Sequence, residues 1–170
     1  MMPMNEQISY EALIEPIEKQ MIAVVWKIVR DPTDFDDAFQ EATIKVWKAL
    51  PKIVKHPNPQ GLILRICINA AFDELRRKNR RRKRELAGEI AEHLATQDRG
   101  PIEREQRDRI LDAIAGLPRK QAESLLMRFL EGMPYPAIAL AMDCAESTVR
   151  THIQRGCEKL HHILSDLASV

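Results

Sequence analysis

Between Asn69 and Arg84 an amphipathic pattern runs unbroken into a block of charge. Asn69-Ala70-Ala71-Phe72-Asp73-Glu74-Leu75 is followed by eight Lys or Arg among the nine residues Arg76 to Arg84. Leu62, Ile66, Ala70 and Leu75, with Ile63 and Phe72 beside them, recur at helical steps and supply one apolar stripe. A helix with such a stripe must lie on a hydrophobic core. Its cationic end must meet anions, because like charges at this density repel one another unless something neutralises them. A solvated face or a basic tail is the bland reading; a helix presented to nucleic acid is the sharper one.

Helical periodicity extends along the rest of the chain. Val, Ile and Thr never gather into alternating runs bounded by Asn-Gly or Asp-Gly turns, so an all-α fold is expected. Residues 9–30 form a first helical stretch, with Pro16 tolerable only near its start or at a break. Thr33 is the expected N-cap of a second helix, and Asp34, Asp36 and Asp37 follow where the dipole favours negative charge. Phe35, Ala38, Phe39, Ala42, Val46 and Ala49 share its inner face; Asp37, Gln40, Glu41, Lys45 and Lys48 point away. Pro51 is expected to stop it, and the turn-rich His56 to Gly61 follows as a loop.

Residues 87–100 hold two glycines and few large apolar side chains, and read as a linker. Pro101 suits a helix N1 position, and Ile110, Leu111 and Ile114 continue the stripe. Gly116 reads as a C-terminal cap, and Pro118 as the start of a helix carrying Ala122, Leu125, Leu126 and Phe129. The chain divides into residues 1–86, a linker at 87–100 and residues 101–170, two small helical domains near the lower size limit for independent folding.

A second motif lies in the later domain. Tyr135 to Leu160 reads as a helix over about residues 136–142, a turn of Asp143-Cys144-Ala145 and a longer helix over about 147–165, the geometry of a helix-turn-helix. Ile138, Ala139 and Met142 face inward, as do Val149, Ile153 and Leu160. On the outer side, Arg150 and Arg155 can donate to guanine or phosphate and Gln154 can bond an adenine edge. Ser147, Thr148 and Thr151 are short donors for phosphate or base. An ordinary helical hairpin with a solvated polar face is the alternative.

Composition narrows the classes. The formal net charge of the 170 residues is only +1, so affinity for nucleic acid must come from where charges sit. Apolar residues at 45% and charged residues at 30% suit a soluble globular protein. The longest apolar run, Met21 to Val25, is far below the roughly 20 residues of a membrane span, and Met1 to Glu11 lacks a signal-peptide pattern. Three widely spaced cysteines suggest a reducing, cytoplasmic setting. No metal or cofactor is expected. Cys157 and His161 share a helix face, but His152 lies away from them and no C-x2-C pair exists. Trp26 and Trp47 read as core or interface anchors. With no P-loop, nucleophile elbow or supported Cys/His dyad, the chain is not expected to be an enzyme.

Taken in order, several stretches resemble a sigma-70-family transcription initiation factor of the extracytoplasmic-function (ECF) group, which keeps only domains two and four. Asp36-Asp37-Ala38-Phe39-Gln40-Glu41-Ala42-Thr43-Ile44-Lys45-Val46-Trp47 is similar to the family's acidic pair, Gln-Glu and Trp segment. Arg65-Ile66, Asn69, Asp73, Leu75, Arg76 and Arg77 match its Arg-Ile, Asn-x3-Asp-x-Leu-Arg-Arg pattern. Leu117-Pro118 resembles the opening of domain four, and Glu131-Gly132, Tyr135, Ile138-Ala139, Thr148-Val149 and Arg155 its helix-turn-helix.

The resemblance implies roles. Asp36, Asp37, Gln40 and Glu41 would bind core RNA polymerase. Asn69, Asp73, Arg76, Arg77, Lys78 and Arg80 would lie along a promoter −10 element, and the loop Pro51 to Gly61 would receive a base flipped from the melted strand. Ser147, Thr148, Arg150, Thr151, Gln154 and Arg155 would read the −35 element as duplex. An anti-sigma protein is a further expected partner. The sequence departs from the family where Leu62, Ile68, Ala137, Asp143 and Ala145 stand. Two other classes stay open from the residues alone: a free-standing helix-turn-helix regulator that never binds polymerase, and an accessory or structural protein whose basic run binds RNA. The free chain is expected to bind promoter duplex poorly, because two small modules on a linker gain little until their spacing is fixed.

Overall fold

A computed structural model of the chain describes residues 11–88 and 101–168. The helices, in order, are α1 (Glu18–Val29), α2 (Pro32–Val54), α3 (Pro59–Gly88), α4 (Pro101–Ala115), α5 (Arg119–Leu125), α6 (Tyr135–Met142) and α7 (Glu146–Ala168), and no strand occurs among the described residues. The all-α expectation holds. Residues 87–88 of the expected linker end α3, and residues 89–100 lie outside the described residues.

Local chemistry sets the helix ends, in places differently from expectation. Residues 11–14 are helical, and the chain breaks at Pro16 before α1. The N-cap of α2 is Asp31, not Thr33: its carboxylate accepts from Thr33 N at 3.0 Å and Asp34 N at 3.2 Å. Pro32 then takes N1, where its missing N–H costs nothing. Pro51 does not stop α2 but sits inside its last turn, and the helix continues to Val54. Fully buried Ile53 anchors that extra turn, which offsets the one backbone hydrogen bond Pro51 cannot make. Asn58 caps α3 by accepting from Gly61 N at 3.0 Å; a Cβ on Gly61 would stand 2.3 Å from the Asn58 amide, so the cap needs glycine there.

α1 and α2 both pack on α3. Val24, Val25, Ile28, Ala38, Ala42, Val46, Ile63, Cys67, Ile68 and Phe72 fill the space between them, each 1% exposed or less. Trp26 sits at the edge of this core, half out in solvent and edge-on to Phe35 at 5.6 Å. In the C-terminal half, Leu117, Ala122, Met127, Ile138 and Val149 make the corresponding centre. Gly116 follows α4 but is not left-handed; among the described residues the left-handed glycine is Gly132, with φ 65°. α5 loosens into a π turn over Leu126–Leu130, and Phe129, expected on the same helix as Leu125 and Leu126, is 68% exposed. Gly156 lets α7 lie close on α5, since a Cβ there would come within 2.7 Å of Leu125 Cδ1.

Candidate nucleic-acid interface

The turn before α7 has the shape a helix-turn-helix needs. Asp143 is left-handed (φ 53°, ψ 52°), a conformation short polar side chains tolerate. Its N–H donates to Leu140 O at 3.2 Å, and that of Cys144 to Ala139 O at 3.1 Å. Ala145 begins the next turn by accepting from Thr148 N and Val149 N through its carbonyl, but has no side chain with which to cap. Val149 and Ile153 anchor α7 from below. Ser147, Thr148, Arg150, Thr151, Gln154 and Arg155 are all exposed. The Arg150 guanidinium stacks 4.2 Å over the Tyr135 ring, whose other cationic neighbour is Arg128 at 5.0 Å. Gln154 rests on Glu158 at 3.0 Å and Thr151 Oγ1 on Ser147 O at 2.9 Å, both local bonds that a base edge or phosphate can replace.

The residues proposed for the −10 element are differently placed. Asn69 is half-buried, and its amide oxygen is buried without a hydrogen-bond partner. Asp73 accepts from both guanidinium nitrogens of Arg119, at 3.2 and 3.1 Å. Arg76 stacks on Phe72 at 4.5 Å and donates to Ala115 O at 2.9 Å and Leu117 O at 2.5 Å. Arg77 pairs with Glu41 and Glu74, both at 3.1 Å, and Lys78 with Asp34 at 2.8 Å. Arg81 lies 3.3 Å from both Asp34 and Glu74, and Arg82 2.8 Å from Asp112. Arg80 is exposed. Much of the basic block is therefore neutralised by the protein's own carboxylates and does not need phosphate to relieve its repulsion. Apart from Glu74 on α3 itself, the partners come from α2 and α4, too distant in sequence for a reading along the chain to pair them. Glu74 is only 2% exposed and was missed; a carboxylate flanked by Ala70, Ala71, Phe72 and Leu75 was its one signal.

These pairs move the titrations as their geometry requires. Hydrogen bonds from Lys45 first and then Arg77 hold the Glu41 carboxyl below its ordinary range, against a burial that acts the other way. The Arg77 guanidinium is raised, chiefly by its bond to Glu41. Asp31 is lowered mostly by the Asp34 N–H it caps. Burial pushes the Cys67 thiol up to about 12, so it behaves as a small core residue.

On α2, Asp36, Asp37 and Gln40 are exposed, whereas Glu41 is half-buried in its ion pairs rather than free. Asp37, Gln40, Glu41, Ile44, Lys45 and Lys48 with Arg77 line a shallow depression there. Ile44 and Trp47, 47% and 40% exposed, flank it with apolar surface. Ile44 was not foreseen, although its position off the Ala38-Ala42-Val46 stripe was a signal. The expected base-receiving loop shrinks to residues 55–58, because Pro51 to Val54 are helical. It lies against α6: His56 Nε2 is 3.1 Å from Leu140 O, and Asn58 Nδ2 donates to Ala137 O at 3.4 Å. Leu62 and Ile68 are core residues. Among the described residues no group of three His, Cys, Asp or Glu could hold a metal ion, and no helix is long and apolar enough to cross a membrane.

The family model for Sigma-70 region 2 matches residues 13–81, and that for Sigma-70 region 4 matches residues 107–160. The chain belongs to the sigma-70 family. Within it, the ECF group is supported by relatives over nearly the full length. The RNA polymerase sigma-H factor of Pseudomonas aeruginosa is 26% identical over 94% of this chain and 88% of its own. The ECF RNA polymerase sigma-E factor of Escherichia coli K12 is 25% identical over 96% and 98%. The fold is shared with the sigma factor RpoE of Bartonella quintana, solved with the anti-sigma factor NepR (TM-score 0.54, 17% identity, 92% of this chain and 96% of that one). It is shared also with CnrH, solved with the cytosolic domain of CnrY (TM-score 0.57, 19% identity, 94% and 90%). The region 2 match thus spans α1, α2 and most of α3, and the region 4 match runs from within α4 through most of α7.

Proposed function

We propose that this sigma-70-family chain is the promoter-specificity subunit of a bacterial RNA polymerase. It binds core polymerase, recognises −35 and −10 elements and helps melt the latter. The observation that carries this is α7, which sets Arg150, Thr151, Gln154 and Arg155 on one exposed face over buried Val149 and Ile153, behind a left-handed Asp143. That face reads −35 duplex from a major groove. Asp36, Asp37 and Gln40, with Glu41 beneath them, engage core polymerase. Asn69, Asp73, Arg76, Arg77, Lys78 and Arg80 serve the −10 element. The functional division is region 2 in residues 1–86, a linker at 87–100 and region 4 in 101–170. The protein acts in the cytoplasm, and an anti-sigma protein is the proposed regulator. The exposed acidic and apolar face of α2 favours a polymerase partner over a free-standing regulator, which has no need of it.

In vitro transcription with purified core polymerase and a promoter library tests the proposal. Run-off products from a subset of promoters sharing two spaced elements are expected. Absence of product, together with tight sequence-specific binding by the free chain, would overturn it in favour of the stand-alone regulator.

A further inference from the structure

Tyr135 stands outside the proposed −35 face, yet its ring touches that face at Arg150. The Arg150 guanidinium lies 4.2 Å from the ring centroid and that of Arg128 5.0 Å. Tyr135 opens α6, the first helix of the helix-turn-helix, between Pro134 and Pro136. Prolines on both sides leave that stretch of backbone little freedom. Ile138 and Ala139, buried in the next turn, hold α6 in place. Arg128 fastens the same corner from the π turn, donating to Met133 O at 3.0 Å. The ring is thus a fixed support beside a long side chain that its own helix leaves exposed.

Two groups contact the Arg150 guanidinium, and they differ in what they leave free. Glu146, one turn back on α7, is 3.9 Å from Arg150 Nη2, at the outer limit of an ion pair. A carboxylate takes a guanidinium by its N–H edge, and those are the donors a guanine edge needs. Tyr135 takes it by the planar face, so the N–H edge stays free for a base. An arginine free in solvent loses rotamer freedom when it docks on a base; one already resting on a ring loses less.

We propose that Tyr135 is a positioning residue of the −35 reader: its ring presents the Arg150 guanidinium edge-first to one base pair and so sets the discrimination there. The contribution comes from the ring and not from the phenol hydroxyl. The inference rests on the functional reading above for what Arg150 binds, but the stack itself does not.

The test uses the full chain assembled with core polymerase, a promoter selected by the transcription screen and a panel of that promoter point-substituted in its −35 element. Tyr135→Phe keeps the ring and Tyr135→Leu removes it; each is also combined with Arg150→Ala. NMR of the free chain follows the stack through the upfield ring shift of the Arg150 side-chain protons. Tyr135→Leu should abolish that shift and bind the preferred promoter about threefold to tenfold more weakly, the scale of ordering one rotamer-rich side chain. It should lose preference only at the position that Arg150→Ala relaxes. Tyr135→Phe should retain affinity, preference and ring shift. In the Arg150→Ala background Tyr135→Leu should add no further loss, because the two residues act as one unit. Where Tyr135→Leu fails to fold, Tyr135→Met, whose unbranched side chain fills irregular space, takes its place. Absence of the ring shift in the wild type, equal weakening across the panel, a full second loss in the double variant, or Tyr135→Phe as weak as Tyr135→Leu overturns the proposal. A clear ring shift with no change of base preference in Arg150→Ala would uphold the stack but sink the base-reading role of Arg150, and the proposal with it.

Discussion

α3 and α7 both carry arginines above an apolar underside, yet they stand in opposite conditions. α3 runs through the centre of region 2, with Ile63, Cys67, Ile68 and Phe72 buried to 1% exposure or less, and most of its charged groups already have protein partners. α7 rests on one neighbouring layer through Val149 and Ile153, and its outer side chains are exposed. A reader that is also the core of its own domain couples recognition to stability. A reader on an outer helix can change its side chains freely. The comparison predicts that substitutions on α3 alter folding and binding together, and substitutions on α7 alter binding alone.

The most severe test of that difference is Phe72→Ala. Phe72 is 1% exposed and also carries the Arg76 guanidinium on its ring. Truncation should destabilise the protein by about 3–5 kcal/mol, as for other buried aromatics, and weaken −10 strand binding as well. Urea unfolding and strand binding measured on one preparation check both. A loss of binding with stability unchanged would break the coupling.

Arg150→Ala and Gln154→Ala supply the other side. Each should cost roughly 1–3 kcal/mol on the preferred −35 duplex and relax preference at one position. Stability should stay within about 0.5 kcal/mol, because both side chains are exposed. Binding to a panel of point-substituted duplexes distinguishes base reading from phosphate contact: uniform weakening across the panel would mean the face grips but does not read. A third surface separates from both. Asp37→Ala with Gln40→Ala should weaken capture of core polymerase by about 1–2 kcal/mol, the scale of contributing interface residues. It should leave −35 binding intact. Undiminished capture in a pull-down would remove α2 from the interface.

Legibility in the sequence follows the same divide. The helix-turn-helix could be read because its determinants are local: inward Ile138, Ala139 and Met142, a turn residue at Asp143 that tolerates left-handed backbone, and a polar outer face. The stripe of α3 was legible for the same reason. Its charge state was not, because Glu41, Asp34 and Asp112 reach it across the fold. Pro51 inside α2 shows tertiary burial of Ile53 prevailing over a local breaker. The cap of α2 is a different kind of miss: Asp31-Pro32 is itself a start signal, a capping side chain followed by proline at N1, but the acidic run after Thr33 places the expected cap two residues too late. The packing of region 4 on region 2 left no local trace, since backbone carbonyls such as those of Ala115 and Leu117 carry no residue identity.

Asp31 offers the finest test of how α3 is held, because it has two separable jobs. Its carboxylate caps α2, and it lies 3.6 Å from Lys78 of the basic block. Asn caps nearly as well as Asp but carries no charge. Asp31→Ala should therefore lose about 1 kcal/mol, within the usual range for removing a cap, while Asp31→Asn loses a few tenths. The carboxyl is held below its ordinary 3.8 in the folded protein. Its contribution to stability is thus fully present above that value and is lost as pH falls through the lower folded value. The Asn variant should converge on the wild type at the acid end of a urea series and differ from it most near neutrality, whereas the Ala variant should stay below the Asn variant by a gap that does not change with pH, since neither side chain titrates. If the Asn form matches the Ala form instead, the charge beside Lys78 outweighs the cap, and the cations of α3 are bound to α2 more firmly than their exposure suggests.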